Sequence, residues 1–196
     1  MSPITPSPQD DIELRTLKVI AKAMDRPLAE VTPSSSLEED LGAQSLDFLD
    51  IAFSLEREFL IQFPRTDFLQ RAADHFGEEN LIKDGVVTGF GLRLLRLGMP
   101  ELDLSRLKPG LKITEVQKMF TVATFIRVVR QLIDAKNAMD RKCPGCGALM
   151  VESSALPELV CSDCRTSKPL PSGDEVLFQH LLDLEGKAGE ASPGAS

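Results

Sequence analysis

The chain has 196 residues, enough for one domain with an accessory or for two small ones. Apolar residues make up 42% of it, Trp and Tyr are absent, and Phe supplies all the aromatic bulk. The net charge of −8 is concentrated in residues 1–64, which hold twelve acidic and five basic residues against eighteen and seventeen in residues 65–196. An acidic front half argues against nucleic acid, whose phosphates require a basic footprint. It suits docking on a basic partner surface, and it suits solubility equally well. No apolar run approaches the ~18 residues of a membrane span, no basic-hydrophobic leader opens the chain, and a cytoplasmic location is the expectation.

Residues 1–9, beginning MSPITPSP, read as a disordered arm. Ser7, Pro8, Asp10 and Asp11 then supply a cap, a first-turn proline and acids against the helix dipole. Leu14, Leu17, Ala21 and Met24, with Ile20 beside them, predict a helix that Pro27 stops. From Pro27 to Gln44 the sequence predicts a long loop pinned by Val31, Leu37 and Leu41. Ser45 is the expected cap of a second helix running to about Leu60. Its stripe is Phe48, Ile51, Ala52, Leu55 and Phe59, widened by Leu46, Leu49 and Phe53, with Pro64 closing the segment.

Residues 65–113 are less regular. Phe68, Leu69, Ala72, Ala73 and Phe76 predict a helix ending near Gly77, Thr88 to Leu97 another, and Pro100 to Gly110 turns. Thr114 with Gln117 has the pattern of a capping box. Thr121 opens a stronger helix carrying Val122, Phe125, Ile126, Val129, Leu132 and Ile133, ending near Asn137. There is no internal repeat. From Asp140 short apolar pieces alternate with Cys, Gly and Pro, which marks a domain boundary. Val176 to Leu184 predict one short helix, and the last ten residues, small and polar, are expected to be disordered.

The stretch Leu37-Glu38-Glu39-Asp40-Leu41-Gly42-Ala43-Gln44-Ser45-Leu46-Asp47, continuing through Leu55-Glu56-Arg57-Glu58-Phe59 to Ile61 and Pro64, resembles the acyl carrier protein family. That family has an acidic Leu-Gly-(small)-Asp-Ser-Leu followed by a helix ending Leu-Glu-x-x-Phe-x-Ile-x-(apolar)-Pro. The resemblance covers about residues 10–64 and 115–135. It implies a four-helix bundle in which Ser45 receives 4'-phosphopantetheine from coenzyme A through a phosphopantetheinyl transferase. The thiol of the arm would then hold acyl intermediates as thioesters in fatty-acid, lipid or polyketide-type biosynthesis. Gln44 stands where the family usually has Asp, which bears on which transferase accepts the chain. The position suits the chemistry, because a serine at a helix N-terminus sets its oxygen at the positive end of the dipole. Taken alone, Ser45 reads as an ordinary N-cap.

Leu46, Asp47, Asp50, Glu56 and Glu58, with Glu38, Glu39 and Asp40, are the candidate docking residues for acyl-transferring or acyl-modifying enzymes with basic surfaces. An acidic helix face is also what any solvated helix presents, and Leu46 reads equally as a core residue. The fifty or so residues between the second and last helices exceed what the family spends there, and a loop of that length predicts helix. One reading is an elaborated third helix on the core. The other is a reshaped acyl cavity or an added partner surface, making a specialised carrier.

Cys143-Pro144-Gly145-Cys146 and Cys161-Ser162-Asp163-Cys164 form two C-x₂-C pairs separated by fourteen residues. In a reducing compartment this spacing reads as a tetrahedral metal site, with zinc as the ion and two short strands between the pairs, similar to a zinc ribbon. A closed set of four thiolates makes such zinc structural. Iron in a rubredoxin-like site and redox-active thiols are the alternatives. Residues 140–170 balance four bases with four acids, so no basic stripe points to nucleic acid.

An enzyme finds little support. His75 and His180 lack motif context, Asp74 beside His75 reads as an exposed helix pair, and no Gly-rich phosphate loop or GxSxG occurs. The expectation is a non-enzymatic carrier. Its fold is mainly α, an acyl-carrier-type four-helix bundle with an enlarged third-helix region, plus a small β zinc ribbon. The expected units are a helical domain over 10–137 with the insertion at about 65–114, a ribbon over 138–172 and a tail over 173–196. A zinc-ribbon module for protein interaction or nucleic-acid binding on a helical scaffold is the alternative.

Overall fold

The computed structural model of the chain describes residues 8–66 and 68–190, and it is mainly α with two small antiparallel sheets. Helix α1 spans Pro8–Ala23, with Asp10 and Asp11 in its first turn. Pro8 and Gln9, assigned above to an arm, already belong to it; the expected Ser7 cap and the rest of the arm lie outside the described residues. Helix α2 spans Ser45–Phe59 and ends at Leu60, whose left-handed φ of 50° turns the chain out of the helix. Next come α3 (Phe68–Phe76), the single turn α4 (Glu78–Leu81) and a two-residue hairpin of β1 (Ile82–Lys83) and β2 (Val86–Val87). The hairpin turn is Asp84-Gly85, both at positive φ, the conformation that matches strand twist in a tight hairpin.

Helix α5 (Gly89–Gly98) starts at Thr88, whose hydroxyl accepts from the Gly91 N–H. The expected Thr114 box does not form: the short α6 (Ile113–Val116) begins at Lys112 and runs straight into a 3-10 turn over Gln117–Met119. Thr121 caps α7 (Val122–Asn137) as predicted. Three strands, not two, follow: β3 (Met150–Glu152), β4 (Glu158–Cys161) and β5 (Ser167–Pro169), in the order β3-β4-β5 with Met150 opposite Cys161. Then comes α8 (Gly173–Glu190), an 18-residue helix where a short one was expected; of the ten residues expected to be disordered, 187–190 belong to it and 191–196 lie outside the described residues.

The first core lies between α1, α2 and α7 and includes Ile20, Ile51, Leu55, Phe125, Val129 and Leu132. The loop before α2 contributes Val31, Leu37 and Leu41, the three anchors read from the sequence. This loop is stitched to the start of α7 by backbone bonds: Leu37 N–H to Phe120 O at 3.1 Å, Val122 N–H to Ser35 O at 3.0 Å and Ala123 N–H to Pro33 O at 2.8 Å.

The insertion does not merely elaborate one helix on that core. It builds a second core, with Leu69 of α3, Leu81 of α4, Leu94 and Leu95 of α5, and Leu107 and Met119 beyond them. Helix α8 belongs to this core through Leu181, while its Val176 and Leu177 pack against the first. The supposed tail is therefore structural. Its register follows from Leu177, Leu181 and Leu184, apolar at helical spacing. A third, small core of Cys143, Met150, Leu159, Cys161 and Leu170 sits inside the cysteine module.

That module is tied to the bundle by Lys136, a buried residue of α7. Its ammonium donates to Phe59 O at 2.9 Å and to Glu152 Oε2 at 3.1 Å, and Arg141 holds the other oxygen of Glu152 at 2.8 Å. Arg141, and then Lys136, hold the Glu152 carboxyl below its ordinary range. The stabilisation from such a group is present above the ordinary carboxylate pKa and is lost as pH falls through the lowered folded value.

Two expectations follow. Glu152→Gln should cost about 1–3 kcal/mol at neutral pH, because it weakens a partner of a buried ammonium, and in urea unfolding it should flatten the acid limb of stability against pH. Gly173→Ala should also destabilise, by about 1–3 kcal/mol, since a Cβ there would lie 2.4 Å from Pro64 N and 2.6 Å from Gln62 O. Gly186→Ala, with nothing within 4 Å of the new Cβ, serves as the helix control and should not destabilise.

Candidate functional site

The loop leading to Ser45 is built to hold that residue at the surface. Leu37, Leu41 and Ala43 are buried, and Ala43 N–H closes onto Leu37 O at 2.7 Å. The Asp40 carboxylate accepts the Ser36 N–H at 2.7 Å. Gly42 takes the positive φ of 75° that lets the chain reverse between the two buried neighbours.

Gln44, not Ser45, is the residue that caps α2. It has extended backbone (φ −109°, ψ 172°), its carbonyl accepts the N–H groups of Asp47 and Phe48, and its own N–H is taken by Asp47 Oδ2 at 2.7 Å. An acid at the third helical position reaching back to the cap N–H relieves Ser45 of capping. Ser45 is then the first helical residue, exposed, and no hydrogen bond engages its hydroxyl among the described residues. The oxygen stands at the positive end of the α2 dipole, where a phosphodiester is favourably held. The signal for this cap, Asp three residues after Gln44, was present in the sequence and overlooked beside the stronger cap residue.

Leu46, Leu49 and Phe53 do not widen the buried stripe of α2. Leu46 is 78% exposed, and the other two are about half exposed. Burial follows Ile51, Ala52, Leu55 and Phe59, the side covered by α1 and α7, and leaves an outward apolar strip one turn apart in each step. Arg65 lies over the Phe53 ring at 4.6 Å.

Among the acidic candidates, most have partners within the chain. Glu56 takes Arg65 and the Phe63 N–H, Glu58 takes Arg15, and Glu39 takes Arg106. Asp47 and Asp40 accept backbone N–H groups as described. Glu38 is half-buried, and Asp50 is exposed beside the apolar strip.

A cavity of about 290 Å³ opens next to this strip. Phe48, Leu49 and Ala52 of α2 and Phe125 and Val128 of α7 form one wall. Phe68 of α3, Met99 and Phe178 of α8 form the other, so the space lies between the two cores. Pairing of Phe63 with Phe125 at 5.6 Å and of Phe48 with Phe125 at 6.3 Å stiffens the first wall. Sequence reasoning missed the part played by α8, whose Leu177, Phe178 and Leu181 carried the helical spacing that marks a packed face.

The four cysteines come together as read. All four sulfurs lie within 4.8 Å of one another, with Cys143–Cys164 at 3.4 Å and Cys146–Cys161 at 3.5 Å. The edge of a tetrahedron of thiolates about a zinc ion is roughly 3.8 Å, so the donor set fits a metal with no open position. The Thr166 hydroxyl and N–H pull the Cys164 thiol down to about 6. At Cys146 the Ala148 N–H pulls the same way, but the bonds to Cys161 and Cys164 prevail and push it up to about 12. Thiols that compete in this way for one space are what a cation relieves.

The histidines stand apart from each other: His75 is exposed and stacks edge-on against Phe76 and Phe178, Asp74 instead accepts from the Gln70 side chain at 3.1 Å, and His180, exposed on α8, is one of the residues lining the cavity.

Residues 15–73 match the family described as phosphopantetheine attachment site. That segment runs from α1 through α2 into α3 and contains Ser45. Over that segment the chain is similar to acyl carrier proteins. The chain is similar to the acyl carrier protein AcpXL of Mesorhizobium japonicum, 38% identical over 60 residues, which are 31% of this chain and 64% of that protein. It is similar also to the acyl carrier protein AcpXL of Rhizobium etli, 42% identical over 52 residues, 26% of this chain and 56% of that protein. The chain thus spans less than two thirds of the length of either relative. No solved structure gives a significant match.

Proposed function

We propose that this chain is a specialised acyl carrier in which Ser45 receives 4'-phosphopantetheine and the arm's thiol holds acyl intermediates as thioesters. The enzymes it serves belong to fatty-acid, lipid or polyketide-type biosynthesis. The observation that carries this reading is the exposed Ser45 hydroxyl at the first position of α2, relieved of capping by Gln44 and Asp47. The match over residues 15–73 supports it. A phosphopantetheinyl transferase and acyl-handling enzymes are its partners. They meet the outward face of α2, where Leu46, Leu49 and Phe53 are exposed and Asp50 adds charge. Glu39, Glu56 and Glu58, each paired within the chain, contribute less.

Cys143, Cys146, Cys161 and Cys164 hold a structural zinc ion in this reading. The ion would supply no chemistry to the acyl group; it would staple a module whose own core is too small to fold unaided.

Intact mass tests the carrier reading. Co-expression with a transferase of broad specificity should add the mass of one phosphopantetheine, and Ser45→Ala should abolish the addition. An unmodified wild-type chain after treatment with several active transferases would sink it. For the module, one zinc per chain is expected by elemental analysis. Cys161→Ser should lose it and should expose the 140–170 segment to proteolysis, while α-helical content largely survives.

A further inference from the structure

We propose that the cavity between the two cores binds an aliphatic chain that ends in a carboxylate, with Arg71 as the anion's partner. For a chain tethered to the arm this rests on the reading of Ser45 given above; for a free fatty acid it does not.

The walls are mainly aromatic and aliphatic, and at about 290 Å³ the space is at the small end of ligand pockets. A chain of modest length fits such a volume. Phe48 and Leu49, on the near wall, follow Ser45 by three and four residues, so the near wall begins about one helical turn along α2 from Ser45.

The polar groups around the same space decide what the far end of the chain should carry. Arg65 is spent on Glu56, held through both carboxylate oxygens at 2.7 and 2.9 Å. Arg127 is spent on Glu101 and Gln131. Asp174 uses both oxygens on the N–H groups of Arg65 and Thr66. Among the three arginines Arg71 is the exception, and the exposed His180 is the other basic group in the lining. Arg71 lines the cavity from α3, its Nε is buried without a hydrogen-bond partner, and the described residues give it no ion pair. Its guanidinium rests over the Phe178 ring at 5.4 Å, which attracts the cation but accepts none of its directional bonds.

A buried donor on a charged group is costly to leave unmade. An anionic oxygen entering from the cavity satisfies it, and the planar fork suits a carboxylate better than any neutral acceptor. The apolar walls take the rest of the molecule. One end-charged alkyl chain meets both demands; a neutral chain meets only one.

The test uses the full chain. With Ser45→Ala, which removes any tether, decanoic acid should bind by calorimetry roughly tenfold more tightly than its methyl ester, the weight of one charge-assisted hydrogen bond. Arg71→Met should bring the acid down to the ester, and Arg71→Lys should keep part of the preference. In a second arm, holo chain loaded with an ω-carboxy acyl group is compared by thermal shift with chain loaded with the plain acyl group of equal length. A larger rise for the ω-carboxy group that disappears in Arg71→Met identifies the tethered acyl chain as the occupant. No such rise, with decanoate still bound, identifies the free fatty acid. Equal binding of acid and ester, or a preference that persists in Arg71→Met, overturns the proposal. Failure of phosphopantetheine to attach bears on Ser45 alone and leaves the first arm intact.

Discussion

Between α2 and α7 the chain leaves the first core for more than fifty residues and must return in register. What fixes the return is the backbone pairing of Pro33, Ser35 and Leu37 with Phe120, Val122 and Ala123. These bonds set the start of α7 and the loop before α2 against each other, whatever the intervening chain does. Because loop-closure entropy grows only slowly with length, an excursion of that size is tolerated when both ends are pinned. The second core then fills the excursion with its own apolar surface. The Ser45 site, the first core and the cavity all inherit their geometry from this seam.

The mainly α fold with a small β module was legible in the sequence, and so were three of the four long helices and the cysteine cluster. Their signals are local: helical spacing in Ile51, Leu55 and Phe59, Thr121 before an apolar run, and two C-x₂-C pairs. The partition of the insertion was less legible. Leu92, Leu94, Leu95, Leu102 and Leu107 are apolar almost regardless of spacing, because a core enclosed by several short elements buries them from many sides. The Asp84-Gly85 turn was readable as a hairpin, but the strands it joins are two residues each and have no alternation to show.

At the site, the sequence reading gave Ser45 a capping task that Gln44 performs. Serine outranks glutamine as a cap in general, yet the backbone here extends at Gln44 because Asp47 accepts the Gln44 N–H. The internal pairing of the acidic residues was hidden for a different reason. Formal charge counted along the chain cannot reveal that Arg15 and Arg106, distant in sequence, and the nearer Arg65 come back to pair with Glu58, Glu39 and Glu56. Exposure of Leu46, Leu49 and Phe53 was equally invisible, since a widened stripe and a bare strip have the same spacing. Only the placement of α1 and α7 separates them.

Helix α8 is synthesised after the cysteine module, and it supplies Leu181 to one core and Leu177 to the other. During synthesis both hydrophobic layers therefore wait for α8, with the module made before it. The segment around Ser45 can assemble early, while the insertion stays loosely packed until the end. A chain cut short after the module would keep its serine and its thiols but would leave a greasy cleft open to solvent, a form suited to chaperone capture and degradation.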